Sequence, residues 1–396
     1  MMKRLILKKG REKSLLRRHP WIFSGAVEKI EGEPLHGETV EVTAADGTFL
    51  AWAGFSPASQ ITGRVWSFEK DERIDFEFFK KRVATAAALR EKLHLNAPEG
   101  GCRLIFSEAD RLPGVIVDRF GSFLILQLLS AGAEFNREHI VNALREVCRP
   151  AGIHERSDVS IRRKEQLPGR SGVVVGEELP EELIVKEGDM LFAVDGRKGQ
   201  KTGFYFDLRS AREVLRRYSA GAEVLNCFCY TGAFAVAALK SGAAHVLNMD
   251  SSAPALKQLE RNMELNGFSQ EQYGTRCGDV FELLRELAKE KRQFDVVILD
   301  PPKLVDSQRS LLSGARAYQD LARHGFKLLK PGGVLFNFSC SGLMTAELFQ
   351  KITASAALEA GAEARIIAHL EQAPDHPTLL SVPETFYLKG LVSCKM

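Results

Sequence analysis

The sequence predicts an α/β chain in three parts: a small β-rich module, a central mixed module and a larger unit on a mainly parallel sheet. Three observations carry this expectation. From about residue 184 onward, short apolar runs alternate with segments of helical spacing. Repeated βα units of that kind require a parallel sheet covered on both faces. Ahead of them, residues 38–43 alternate polar and apolar side chains before Asp46-Gly47, a tight-turn pair. The chain also has 396 residues, more than one domain of about 100–200 residues holds. With 45% hydrophobic and 27% charged residues, a disordered or fibrous chain is excluded.

Residues 1–72 form the first module, with strands expected over 38–43, 49–55 and 61–68. Its leading edge, 3–18, carries Lys3, Arg4, Lys8, Lys9, Arg11, Lys13, Arg17 and Arg18 against the single acid Glu12. A solvated helix face is the plainer reading of such a run. With His19-Pro20-Trp21 following, it also reads as a phosphate-binding edge, where cations release counterions from a nucleic acid. Arg11, Lys13, Arg17 and Arg18 are its candidate contacts. The net charge of +3 does not by itself require a polyanionic partner.

The polar stretch 69–75 leads into the second module, residues 73–185. Helical spacing covers 78–93 and 137–148, with strand patterns at 115–118 and 123–129. The hydrophilic stretch 162–182, with Leu167-Pro168-Gly169 and Leu179-Pro180, reads as the next boundary or an exposed excursion. In the third module, 186–396, strands are expected over 224–230, 245–250, 273–277, 294–300, 334–339, 364–369 and 386–394. Helices are expected over 233–240, 253–266, 280–290 and 343–359, with a long helical region reaching residue 329.

Seven cysteines stand at 102, 148, 227, 229, 277, 340 and 394, an odd count without a Cys-x-x-Cys pair. That argues against a disulfide framework and a structural zinc site, and makes a reducing cytoplasm the simplest compartment. No apolar run approaches the roughly 18 residues of a membrane span. The start offers only Leu5-Ile6-Leu7 before Lys8-Lys9, too little for a signal peptide.

In a parallel α/β sheet, ligands sit beyond the carboxyl ends of the strands, where strand order reverses. The first such end carries Tyr230-Thr231-Gly232-Ala233, with one glycine. A Gly-x-Gly-x-x-Gly loop that lets backbone approach a pyrophosphate is missing, which disfavours a nicotinamide oxidoreductase. Asp250 ends the second strand at the place where an acid meets ribose hydroxyls. Asp279 follows the third, placed for an adenine amino group, although a helix N-cap is an equal reading. Together they describe a nucleoside pocket without a phosphate tail, and S-adenosylmethionine fits. The fourth strand ends in Asp300-Pro301-Pro302-Lys303, where two prolines cannot extend a ladder and fix a rigid turn.

These motifs, with Asn226-Cys227-Phe228-Cys229-Tyr230-Thr231-Gly232 before them and Phe338-Ser339-Cys340-Ser341-Gly342-Leu343 after, are similar to those of a known family. The chain resembles the bacterial large-subunit ribosomal RNA cytosine-5 methyltransferases with an N-terminal PUA domain. The resemblance runs through nearly the whole chain, including the segments 10–21, 128–134 and 201–207. It implies a PUA-type RNA-binding β-barrel, a central α/β connecting domain that helps enclose RNA, and a C-terminal Rossmann-like class I domain using S-adenosylmethionine. Lys201, Tyr205 and Asp207 would then belong to a segment closing over the methionine end of the cofactor, with Phe204 and Tyr205 equally readable as core aromatics. Tyr230, Thr231, Gly232, Asp250, Asp279, Asp300 and Pro301 would line the rest of its site. Lys303 joins the candidate RNA contacts. The implied partner is 23S ribosomal RNA, with no membrane and no metal, and a homodimer is admissible. One departure stands out: Ala233 occupies a place where a second glycine is expected.

Carbon 5 of cytosine is too weak a nucleophile to attack a methyl sulfonium directly. A thiolate adding at carbon 6 pushes electron density onto carbon 5, so the reaction requires a cysteine beside the methyl group. Cys340 after the fifth strand and Asp300 after the fourth are the candidate nucleophile and base-edge partner. A free thiol has a pKa near 8.5, about a few per cent thiolate at neutral pH. Lowering it to about 7 needs roughly 2 kcal/mol of thiolate preference. A helix following Ser341-Gly342 is the expected source of part of it. Cys102, Cys148, Cys227, Cys229 and Cys394 read as packing residues. The competing readings are methylation of an exocyclic amine, disfavoured by Lys303 where an aromatic would stack on the base, and a non-catalytic RNA-binding protein.

Overall fold

The computed structural model describes residues 3–197, 199 and 202–396. The chain divides into two compact units: Met1–Val185 with Val194–Phe206 and Pro374–Thr385, and Lys186–Ala193 with Asp207–Ala373 and Phe386–Met396.

The first unit begins with β1 (Arg4–Leu7), α1 (Lys13–Leu16), β2 (Trp21–Phe23), β3 (Val27–Glu31), β4 (Thr39–Thr43), β5 (Phe49–Phe55) and β6 (Ile61–Ser67). These strands form a six-stranded sheet in the order β2-β6-β5-β4-β1-β3. The two-residue period of strands puts Leu5 and Leu7, Val40 and Val42, and Ala51 and Ala53 on one face, and all six are buried in a common core. Next come α2 (Phe76–Lys92), β7 (Gly101–Phe106), β8 (Val115–Phe120), β9 (Phe123–Leu128), α3 (Ala131–Phe135), α4 (Arg137–Cys148), β10 (Gly152–Arg156), α5 (Ile161–Lys164) and β11 (Ser171–Gly176). Asp75 caps α2 by accepting the Phe78 amide at 3.2 Å. Phe79, Val83 and Ala86 on α2, with Ile140 and Leu144 on α4, share a buried core with Leu124 and Leu126 of β9. The five strands order β11-β10-β9-β8-β7.

The stretch 162–182 is more than a boundary or excursion. It contains β11, which pairs with β10 as the sheet edge. Its residues are exposed or half-buried throughout, so it lacks the strong apolar signature of an inner strand. The division between the units falls further on, within the hairpin of β12 (Leu183–Glu187) and β13 (Met190–Val194).

The second unit continues with α6 (Arg209–Arg216), β14 (Glu223–Cys227), α7 (Ala233–Lys240), β15 (His245–Asp250), α8 (Ala253–Leu265), β16 (Tyr273–Cys277), α9 (Val280–Lys289), β17 (Phe294–Leu299), α10 (Leu311–Leu328), β18 (Leu329–Ser339), α11 (Ala346–Glu359), β19 (Ala364–Leu370) and β20 (Lys389–Lys395). Its seven-stranded sheet runs β16-β15-β14-β17-β18-β20-β19. The first five neighbours are parallel, while β20 runs antiparallel to both β18 and β19. Val296, Val297 and Ile298 are fully buried, as expected of a central strand covered on both faces.

Several boundaries differ from expectation: β18 begins at Leu329 rather than at residue 334, and β20 at Lys389 rather than at 386. β14 stops at Cys227 rather than at residue 230, because Phe228 and Tyr230 adopt φ of 57° and 47°, left-handed values that leave the ladder. The helix expected from residue 343 begins at Ala346 with Thr345 as its cap. Among the described residues no helix is long and apolar enough to cross a membrane.

Candidate active site

The site is built where β14, β15, β16, β17 and β18 end. Register aligns Cys227 with Met249 and with Leu299, Asp250 with Cys277, and Leu299 with Asn337. Residues beyond these ends therefore share one edge of the sheet. The order reverses beside β14, the crevice position for a ligand.

Asp250 organises the first two loops. One carboxylate oxygen accepts the Tyr230 amide at 2.9 Å and the other the Ser252 amide at 2.9 Å. Backbone bonds from Cys229 N to Met249 O at 3.1 Å and from Gly232 N to Cys229 O at 2.8 Å tighten the turn. Gly232 has φ of 80°, and a Cβ there would meet Leu259 Cγ at 2.5 Å. The single glycine thus answers both a backbone and a packing demand. Thr231 is buried, and its carbonyl accepts Asn262 Nδ2 at 2.8 Å. Asp279 is the N-cap of α9, accepting the Phe281 amide at 2.8 Å. It is exposed, so the capping role leaves its outer oxygen open to solvent or ligand.

The other side of the crevice holds the candidate pair, Asp300 and Cys340. Asp300 follows β17 directly, half-buried, with Pro301 buried behind it. Lys303 is exposed and pairs with Asp306 at 3.4 Å. Cys340 follows β18, half-buried. Its turn is held from three directions. The Ser341 hydroxyl accepts the Val305 amide at 3.2 Å and shares a hydrogen bond with the Tyr318 hydroxyl at 3.0 Å. The Ser341 carbonyl accepts Lys389 Nζ at 2.6 Å. Burial holds the Tyr318 phenol above its ordinary pKa.

The expected helix contribution at Cys340 needs correction. With α11 beginning at Ala346 and its Leu348 amide already accepted by the Thr345 hydroxyl at 3.1 Å, the N-terminus lies beyond the thiol's turn. A helix dipole falls off within its first turn. Lys389, which sequence reasoning does not single out, brings a cation to the turn that carries the thiol. The one signal for it is a lone lysine inside the apolar strand pattern 386–394.

Cys227 and Cys229 are buried and their thiols are pushed up by burial, with the Asp250 charge adding to the effect on Cys229. Cys148 is likewise pushed up to about 11 by burial. Asp207 is buried; its carboxylate accepts the Tyr387 hydroxyl, and its carbonyl accepts the Ala373 amide at 2.8 Å. Lys201 lies outside the described residues. Phe204 is buried and meets Phe206 at 5.1 Å, whereas Tyr205 is half-buried.

Arg11, Lys13, Arg17 and Arg18 are all exposed along α1 and its flanks. Arg18 lies 5.0 Å over the Phe68 ring and 3.4 Å from Glu69. Two cations of the basic edge are committed elsewhere, Lys3 to Glu38 and Arg4 to Glu41, both at 2.6 Å.

Two carboxylates and a run of backbone groups beyond β14, without a phosphate loop, suit the ribose and adenine of S-adenosylmethionine. Comparison with known proteins agrees. The profile of a PUA-like domain matches residues 5–68, and that of an S-adenosylmethionine-dependent methyltransferase matches residues 157–391. The ribosomal RNA large subunit methyltransferase I of Aeromonas hydrophila is 49% identical over 98% of both chains, and that of Erwinia tasmaniensis 48% over the whole of both. Among solved structures, a candidate SAM-dependent methyltransferase from Streptococcus mutans superposes with a TM-score of 0.85 at 23% identity over the full length of both chains. Another, a candidate methyltransferase complexed with SAH, gives the same values. A methyltransferase that takes its methyl group from S-adenosylmethionine, the chain belongs to the ribosomal RNA large subunit methyltransferase I family.

Proposed function

We propose that this enzyme methylates carbon 5 of a cytosine in 23S ribosomal RNA, in the cytoplasm, through a transient bond between Cys340 and carbon 6. The observation that carries the reading is the placement of Asp300 and Cys340 at the ends of neighbouring parallel strands, with a half-buried thiol at one and a proline-braced carboxyl at the other.

Bound S-adenosylmethionine supplies an electrophilic methyl sulfonium. Asp250, Asp279 and the backbone of Tyr230, Thr231 and Gly232 would hold its nucleoside, with Pro301 walling the crevice. By the family resemblance, Lys201, Tyr205 and Asp207 would belong to the segment toward its methionine end. Cys340 Sγ adds to carbon 6, and the electron pair of the 5,6 double bond moves to carbon 5. Asp300 meets the N3 and amine edge, offsetting charge that builds there. Carbon 5 takes the methyl group as the methyl–sulfonium bond breaks with its electron pair left on sulfur, and the carbon 5 proton then leaves to a base. The C–H electron pair restores the double bond as the carbon–sulfur bond breaks and the thiolate departs.

Duplex RNA hides both ring carbons, so the target base is flipped out or presented in a loop. Residues 1–72 are read as the RNA-binding module, with Arg11, Lys13, Arg17 and Arg18 on phosphates, and 73–185 as the connecting domain. Lys303, beside the Asp-Pro-Pro turn, contacts the RNA near the target base.

The test is nucleoside digestion of ribosomal RNA methylated by the purified protein, with mass spectrometry separating 5-methylcytidine from methylation on nitrogen. RNA containing 5-fluorocytidine should leave a covalent complex linked at residue 340. A methyl on the exocyclic amine, or a Cys340→Ala enzyme as fast as wild type, overturns the reading.

A further inference from the structure

We propose that Lys389 is the positioning residue for Cys340: it ties down the turn carrying the thiol and, as an ammonium, favours the thiolate form. Its bearing on methylation rests on the function proposed above, but the coupling between the two side chains does not.

The geometry begins with strand pairing. Lys389 opens β20 and stands directly opposite Ser339, the residue before Cys340. Facing residues of antiparallel strands project to the same side, so the lysine chain runs along the Cys340 turn. Its Nζ donates to the Ser341 carbonyl at 2.6 Å and to the Tyr387 carbonyl at 2.7 Å. Two of three ammonium protons thus fix the backbone on either side of the site.

Lys389 is only 6% exposed. Lysine is rarely buried so far without an anionic partner, and among the described residues no carboxylate lies within ion-pair distance of it. Among the described residues, the ionisable groups around this turn include Tyr318 of α10, Asp300 and Lys303 beyond β17, and the Tyr387–Asp207 pair beside β20. Lys303 is exposed and turned to Asp306; Asp207 accepts the Tyr387 hydroxyl. Tyr318 is a weak acid held neutral by burial. Burial pushes the Lys389 ammonium down to about 8, while the charge on Cys340 pulls it upward. Such favour is reciprocal: a thiolate that stabilises the ammonium is itself stabilised by it.

In the free enzyme the thiol proton passes to water, its electron pair stays on Sγ, and Lys389 keeps its own protons. When the carbon–sulfur bond breaks at the end of turnover, the same ammonium receives the departing thiolate. One fixed charge therefore serves both the attack and the release.

The experiment uses the full-length protein. Iodoacetamide alkylation is followed from acid to alkaline pH, with peptide mass spectrometry reading Cys340 separately, in wild type, Lys389→Met and Lys389→Arg. Thermal melting and S-adenosylmethionine calorimetry monitor folding. The alkylation midpoint should rise by about one pH unit or more in Lys389→Met and return toward wild type in Lys389→Arg. An unmoved midpoint in a Lys389→Met protein that still binds the cofactor overturns the proposal. Should Lys389→Met not fold, carbon-13 lysine NMR gives the reciprocal reading. The Lys389 titration midpoint should fall in Cys340→Ser, and an unchanged midpoint overturns the proposal. A moved midpoint alongside undiminished methylation by Cys340→Ala would support the coupling while removing the nucleophile reading.

Discussion

Cys229 and Cys340 occupy comparable places: each lies just beyond the carboxyl end of a parallel strand, in one sheet, on one crevice. Their surroundings are opposite. Cys229 is 7% exposed, its amide is fixed to Met249, and the Asp250 carboxylate adds to burial in holding its proton. Cys340 is half-buried, and a lysine arriving from β20 is tied to its turn. Proximity to a strand end does not decide which thiol reacts. On the proposed reading, the sign of the neighbouring charge and access to substrate do, and both come from elements distant in sequence.

The strongest way to break this comparison is to remove each sulfur. Cys340→Ala should lower RNA methylation on the order of 10³-fold or more with cofactor affinity within about twofold, whereas Cys229→Ala should retain rates within a few-fold. Equal losses would erase the distinction, as read by nucleoside mass spectrometry beside calorimetry. The carboxylate side is sharpened by Asp250→Ala, which deletes the acceptor of the Tyr230 and Ser252 amides. A charged hydrogen bond is worth about 1.5–3 kcal/mol, so calorimetry should show cofactor binding weakened roughly 10- to 150-fold. An unchanged affinity would take Asp250 out of the nucleoside site.

A smaller effect is expected from Gly232→Ala. The left-handed backbone and the approach to Leu259 together should cost about 1–3 kcal/mol, seen as a lower melting temperature. An unshifted melt would mean the loop tolerates a side chain. Smallest is Arg17→Ala in the basic module. It should reduce the slope of log affinity against log salt for ribosomal RNA by about one while leaving cofactor binding untouched. An unchanged slope removes Arg17 from the RNA contacts.

Much of the second unit is legible in the amino-acid sequence. The βα alternation locates β15, β16, β17 and their helices closely, because apolar runs and helical spacing register burial directly. The Asp-Pro-Pro turn and the lone Gly232 stand out as residue types with few conformations. The exceptions have local physical reasons. β14 is shorter than its apolar pattern because Phe228 and Tyr230 look like strand residues until their left-handed φ is known. In the first unit, β11 escapes the pattern as an edge strand with little buried surface. α11 starts later than its pattern because Leu343 and Met344 are apolar, although Met344 is buried ahead of the cap at Thr345.

Asp279 shows how far a residue type can be read. Its capping role is one of two equal expectations, and the hydrogen bond to Phe281 establishes it without closing its outer oxygen to a ligand. Cys340 marks the opposite case. Its place after a strand is legible, but the charge near it comes from β20 and not from the helix that follows in the chain.

By itself the sequence determined the alternation of elements, the order of the strand-end motifs and the residue types available for chemistry, since these follow from burial period and backbone stereochemistry along a continuous stretch. Only the tertiary structure decided which thiol stands beside a cation and which beside a carboxylate. Strand β20 is inserted antiparallel next to β18, and charges act through space, indifferent to the length of chain between them.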